Sequence, residues 1–344
     1  MRTVFVIGAG ANTEIDMPSG KDLKQEIAEH LDFKQIAKGG VSGNMNVYNA
    51  MKKYFGINNE HQVFNIAATI SEAMPQSISI DNFLDAHRNE PNINIGGKLA
   101  IVASILYAES KCHFKYINLY NLWDNILTDT WYPLFFQKIS EKCDINEFIE
   151  RLKNISFIIF NYDRCFEFYM RYAIDSYYKT GERSINVVNQ MNIIHPYGVV
   201  GDFPKTPFGK SLSPSELIEH CKNIRTFTEE SEETRKERAS VKQLIDRANR
   251  IIFLGFAYHQ TNLDLLFDIN KPIPKTAVLK PTDKIECYGT GKGISENDRK
   301  YIQSLLWRID PRLKESDISG DSCADFFNNF WYRISFQDDG TGGS

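Results

Sequence analysis

The six cysteines among the 344 residues, Cys112, Cys143, Cys165, Cys221, Cys287 and Cys323, nowhere form a Cys-x-x-Cys pair. That spacing writes no zinc ribbon and no disulfide framework. No run of about eighteen apolar residues occurs, so no membrane-spanning helix is expected. Positive charge is not in excess either. Forty Lys and Arg face forty-four Asp and Glu, a net charge of −4, which supplies no basic surface for nucleic-acid phosphates. No cleavable leader pattern precedes the first apolar run, and the expected location is the cytoplasm. Large apolar residues are not lacking: 42% hydrophobic and 12% aromatic is too rich for a disordered chain. The length suits one large domain or two ordinary ones.

What is present first is a strand. Residues 3–7 (TVFVI) form a short apolar run ending at glycine, the pattern of a strand buried on both faces. Gly8-Ala9-Gly10-Ala11-Asn12 follows, and then a helix start: Ser19 with Asp22 three residues on has capping-box spacing, and Leu23, Ile27 and Leu31 repeat at helical intervals. Strand signals return at 156–160, 187–188, 193–194 and 251–254, with a further one at 276–279. Helical segments near 164–179 and 229–249 alternate with them. That alternation predicts an α/β fold, a Rossmann-like doubly wound parallel sheet. Periodic apolar residues without β runs fill 33–150, read as a large helical insertion. The core is then expected over 1–32 and 151–290, a C-terminal helical segment over 291–336, and a disordered tail or tag remnant over 337–344.

Four strand ends carry polar or glycine groups. Gly8-x-Gly10 would let backbone amides approach a pyrophosphate, or would simply tighten the turn. Asn161 and Asp163 follow a strand and offer donors and acceptors to a ligand, or caps to the next helix. His195, with Pro196 and Gly198 behind it, is placed as a general base, or as a hydrogen-bonded core histidine. The loop of Gly255, Phe256, Tyr258 and Asn262 is a fourth such end, or an ordinary loop with Asn262 as helix cap. In a doubly wound sheet these ends share one edge, so a single cleft is expected.

In their order, Gly8–Asn12, Asn161-Tyr162-Asp163, His195 with Gly198, and Gly255-Phe256 resemble the SIR2-like family. The segment Ser79-Ile80-Asp81-Asn82-Phe83-Leu84 is similar to the insertion of its prokaryotic defence-associated (anti-phage) branch. The four-cysteine zinc module of the family's protein deacylases is missing, Phe160 stands where they carry Gln, Pro196 where they carry Gly, and Asn12 where Ser is common. The resemblance therefore implies cleavage of NAD+ to nicotinamide and ADP-ribose rather than deacylation, with NAD+ as substrate and no metal. It places the pyrophosphate on the amides of Gly8, Ala9, Gly10, Ala11 and Asn12, the nicotinamide amide on Asp163, and further dinucleotide contacts on Gly255, Phe256, Tyr258 and Asn262. Asn161 would orient the ribose and a water, and His195 would take a proton. It also implies activity gated by a partner protein or by self-assembly, in abortive anti-phage defence. An NAD-dependent deacylase and a silent nucleotide-sensing subunit are the alternatives.

Overall fold

The structure, a computed structural model, describes residues 1–36, 40–56, 58–116, 125–227, 229, 231–267 and 284–336. The strand expected at 276–279 and the tail at 337–344 lie outside the described residues. Six strands, β1 (Thr3–Ile7), β2 (Ile155–Ile159), β3 (Asn192–Ile194), β4 (Arg250–Leu254), β5 (Glu286–Thr290) and β6 (Asp317–Ser319), form one sheet. All pairings are parallel and the order is 3-2-1-4-5-6, that of a Rossmann-like doubly wound sheet. β1, β2 and β4 are buried along their whole length, as strands covered on both faces must be. Ile7 lies opposite Ile159 on one side and Leu254 on the other. The three strands therefore end level, and Gly8, Phe160 and Gly255 emerge side by side.

Side chains of β1 alternate between two cores. Val4 and Val6 join one, with α1 (Gly20–Leu31), α2 (Met45–Phe55), α3 (Glu60–Ala73), α4 (Ile80–Ala86) and α5 (Pro91–Glu109). Phe5 and Ile7 join the other, with α6 (Trp131–Ser140), α7 (Ile145–Leu152), α8 (Cys165–Tyr178) and α9 (Arg183–Asn189). Among the described residues, the long segment between β1 and β2 is mostly helical and has one two-residue ribbon pairing Gln35–Ile36 with Gly40–Val41. Its helices are not an appendage: they supply layers on both faces. Later in the chain come α10 (Pro214–His220), α11 (Glu232–Asp246), α12 (Gln260–Leu266), α13 (Glu296–Ile309) and α14 (Cys323–Phe330). Ser19 and Asp22 form the capping box at the start of α1, and Leu23, Ile27 and Leu31 are its buried stripe.

The structure corrects two expectations. Val187 and Val188 belong to a helix, α9, in which Ser184, Val187 and Val188 are buried at three- and four-residue spacing; a two-residue β-branched pair does not distinguish the periods. The segment 291–336 is not only helical, because it contains β6, the edge strand of the sheet. Its helices divide between the faces, Leu306 of α13 in the first core and Phe326, Phe327 and Phe330 of α14 in the second. Those aromatics are packing residues, whereas Trp307 is 48% exposed.

Where strand order reverses, between β1 and β4, the two following turns touch through their backbones. The amide of Gly8 donates to the Leu254 carbonyl at 2.9 Å and that of Gly10 to the Gly255 carbonyl at 3.0 Å. A Cβ on Gly8 or Gly10 would stand 2.6 or 2.8 Å from the Gly255 oxygen. One on Gly255, at φ +56°, would stand 1.8 Å from the Ala11 nitrogen. Only glycine fits there. Gly255→Ala is expected to lower stability by about 3 kcal/mol in urea unfolding; a loss under about 0.5 kcal/mol would contradict this contact.

Candidate functional site

A cavity of about 710 Å³ opens at the carboxyl edge of the sheet, within the size range of small-molecule sites. Every strand end contributes. Gly8, Ala9 and Gly10 follow β1, Phe160 follows β2, and Tyr197 comes three residues after β3. Gly255, Phe256 and Asn262 follow β4, Thr290 to Ile294 close β5, and Asp321 to Cys323 follow β6. Ser19, Gly20 and Lys21 at the start of α1 and Ile78, Ser79, Asp81, Asn82 and Asp85 of the inserted segment complete the wall, while Ile80, Phe83 and Leu84 turn into the core. Phe160, Tyr197 and Phe256 meet as one aromatic surface, with ring centroids 5.7 Å apart for Phe160–Tyr197 and 5.1 Å for Phe160–Phe256.

Of the residues expected at the site, Gly8, Ala9, Gly10, Gly255, Phe256 and Asn262 line this cavity, while Ala11, Asn12, Asn161, Asp163, His195 and Tyr258 do not. Three amides of the first turn are already spent: Gly8 and Gly10 on the β4 turn, and Ala11 on the Gly8 carbonyl at 3.0 Å. The glycines of this turn permit its backbone contact with the β4 turn, while Gly8, Ala9 and Gly10 stay on the cavity wall. Asp163 is engaged within the protein. Both its oxygens accept from the Asn12 side-chain amide, at 2.8 and 3.0 Å, and one accepts from the Cys165 amide at 3.0 Å. Tyr132 donates to the Asn12 oxygen at 2.7 Å. Burial pushes the Asp163 carboxyl up despite these donors. Asp163 and Asn12 tie the β1 turn to the β2 turn, and neither lines the cavity. Tyr258 is buried with its hydroxyl on the Thr290 carbonyl. Asn262 is no cap: His259 holds that position and α12 begins at Gln260. The Asn262 side-chain oxygen accepts from the Tyr197 hydroxyl at 2.7 Å.

Asn161 and His195 do come together. His195 Nδ1 lies 3.0 Å from the Asn161 carbonyl and Nε2 lies 2.8 Å from Glu167 Oε1. Both partners are acceptors, so the two bonds are satisfied together by the imidazolium form. Burial alone would lower the His195 pKa, but the Glu167 carboxylate and its hydrogen bond outweigh burial and raise it. Both His195 nitrogens are thus engaged in this structure, as an imidazolium paired with Glu167. Asn161 is the opposite case. It is 4% exposed, and neither its side-chain oxygen nor its nitrogen has a partner among the described residues. Such an atom costs about 1–3 kcal/mol when left unmade. Glu167 Oε2 is likewise buried and unpaired among those residues.

Several site residues escaped the sequence reading. β5 has only scattered apolar residues and β6 is three residues long, so the ends that bring Thr290–Ile294 and Asp321–Cys323 carried little periodic signal. Glu167 could have been found one turn into the helix after Asp163, facing back toward the strand ends. Glu14 accepts from the amides of Trp131 at 2.9 Å and Ala324 at 3.0 Å, capping two helices; burial still pushes its carboxyl up. Asp81 accepts from the Tyr162 hydroxyl, and burial raises its pKa too. No group of three or more His, Cys, Asp or Glu among the described residues could hold a metal ion, and no described helix is long and apolar enough to cross a membrane. No family model, curated protein or solved structure matches this chain.

Because its folded pKa is raised, the His195 ion pair adds stability that is fully present below about pH 6.5 and is lost as pH rises through the folded value. In urea unfolding over roughly pH 6 to 9, the advantage of the wild type over His195→Gln is expected to shrink as pH rises. A pH-independent difference would contradict the ion-paired imidazolium.

Proposed function

We propose that the protein binds NAD+ across the strand ends and hydrolyses its nicotinamide–ribose bond, in keeping with the SIR2-like resemblance. The observation that carries this reading is the Asn161 amide, buried and unpaired, flanked in sequence by the cavity-lining Phe160 and followed by Tyr162. A buried amide without partners calls for a ligand, and this one stands at a strand end where doubly wound sheets hold theirs. The Asn161 amide would bind the ribose hydroxyls and the attacking water. The C1′–N bond breaks with its electron pair leaving on nicotinamide, so positive charge moves onto the ribose and needs no acid on the leaving group. Water oxygen bonds to C1′ and its proton passes to the Glu167–His195 pair, whose Glu167 Oε2 is free to accept it. Products are nicotinamide, ADP-ribose and one proton.

A second reading has its own observation. Asn161 and His195 do not line the cavity, and His195 is fully engaged, which favours a subunit that binds the nucleotide without turnover. The gated reading reconciles the two: a partner protein or self-assembly would move the Phe160 and Tyr197 rings so that the cavity reaches Asn161. Restraint of this kind suits a cytoplasmic enzyme whose unchecked action would empty its host of NAD+, as anti-phage abortive defence requires.

The test is incubation of the protein with NAD+ followed by chromatography, alongside calorimetric binding. Nicotinamide and ADP-ribose are expected in equal amounts, with Asn161→Ala reducing the rate at least about 100-fold while its urea midpoint is kept or raised. Binding without products supports the sensing subunit, and no binding overturns both.

A further inference from the structure

We infer that one end of the cavity is built for a cationic aromatic ring, and that Asp81 and Asp85 on the inserted helix α4 make the site select oxidised over reduced nicotinamide dinucleotide. The inference rests on the proposed dinucleotide reading and adds to it a charge-selective subsite formed by the insertion rather than by the sheet.

Asp81 and Asp85 are four residues apart, so they share a helix face, and both line the cavity. Their place is fixed by a chain of contacts. Asp81 accepts from the Tyr162 hydroxyl. The Tyr162 ring lies 6.5 Å from that of Tyr197, and Tyr197 meets Phe160 at 5.7 Å. Asp81 therefore stands at the Tyr162–Tyr197 end of the aromatic surface, and Asp85 one turn along shares the cavity wall with Phe160, Tyr197 and Phe256. Phe227 is also on the wall, but the Arg238 guanidinium already lies 5.2 Å from its ring, which leaves the first three rings for a ligand.

Asp85 Oδ1 is buried with no hydrogen-bond partner among the described residues. Asn161, in the same short segment as Phe160 and Tyr162, is 4% exposed with both amide atoms unpartnered. The unpartnered Asp85 oxygen belongs to a residue of the cavity wall itself, and Asn161 directly follows the wall residue Phe160. Aromatic faces attract cations and carboxylates attract them more strongly, so a flat cation is the matching chemistry. The pyridinium ring of NAD+ is such a group. The dihydropyridine of NADH has the same size but no charge. On cleavage the positive charge shifts from this ring to the adjoining ribose, which leaves it within reach of the same carboxylates.

Calorimetry with NAD+ and with NADH reads the inference without any turnover. The wild type is expected to bind NAD+ at least about tenfold more tightly than NADH, and Asp85→Asn to lose about tenfold for NAD+ while leaving NADH within about twofold. Asp85→Asn replaces an atom that has no partner, so it is expected to keep the urea midpoint; Asp81→Asn, which keeps an acceptor for Tyr162, is the second variant. Equal affinity for the two forms in the wild type, or the same loss for both in the variants, overturns the inference while leaving dinucleotide binding standing. No binding of either form overturns the dinucleotide reading itself.

Discussion

The contact between two backbone turns at the middle of the sheet constrains everything above it. β1 and β4 end level, and Gly8 and Gly10 lie against Gly255 so closely that no side chain fits between them. This closes the base of the crevice at the point where strand order reverses, and the remaining four strand ends are arranged around it. The cavity is thus a consequence of sheet order and of three missing Cβ atoms. Its walls come from elsewhere: from the loops after β5 and β6 and from the helices inserted between β1 and β2.

Beneath that floor the polar residues divide by whether their partners are already present. Asn12, Asp163 and Tyr132 satisfy one another, and Glu14 caps two helices. Glu109, pushed up by burial although the Arg164 guanidinium opposes this, holds that guanidinium and the Gly209 amide at 2.9 Å, fastening α5 to the loop after β2. These groups fix the strand-end loops through bonds within the protein. Asn161, Glu167 and Asp85 retain unmet atoms among the described residues. A functional reading of the site is best built on this second group, since an unpaired buried amide or carboxylate is stable only with something else to bind.

Much of the fold was legible because its central strands are continuous apolar runs and the helix after β1 carries its own start signal at Ser19 and Asp22. The four strand ends chosen from sequence do reach one edge. The roles of individual residues were less legible. Gly8 and Gly10 have the same sequence appearance whether they admit a phosphate or another backbone, and only the position of Gly255, some 245 residues away in the chain, decides between them. Asp163 and Asn12 looked like ligand contacts because nothing local shows that each is the other's partner. β5 and β6 were hidden for a different reason: β6 is a three-residue edge strand, and β5 beside it sets Cys287 and Tyr288 between Glu286 and Gly289, so neither shows a continuous apolar run. Asp85 lay in a helix whose periodicity reports its buried side and is silent about the face turned to the cavity.

The most direct test of the account is a crystal structure of the Asn161→Ala variant, expected to bind without turning over, soaked with NAD+. The account predicts one dinucleotide in the crevice above Gly8 and Gly255, its nicotinamide ring against Phe160 and Tyr197 beside Asp85, and its ribose facing position 161. A dinucleotide bound elsewhere on the molecule, or seated in the crevice with its nicotinamide remote from position 161, would contradict it.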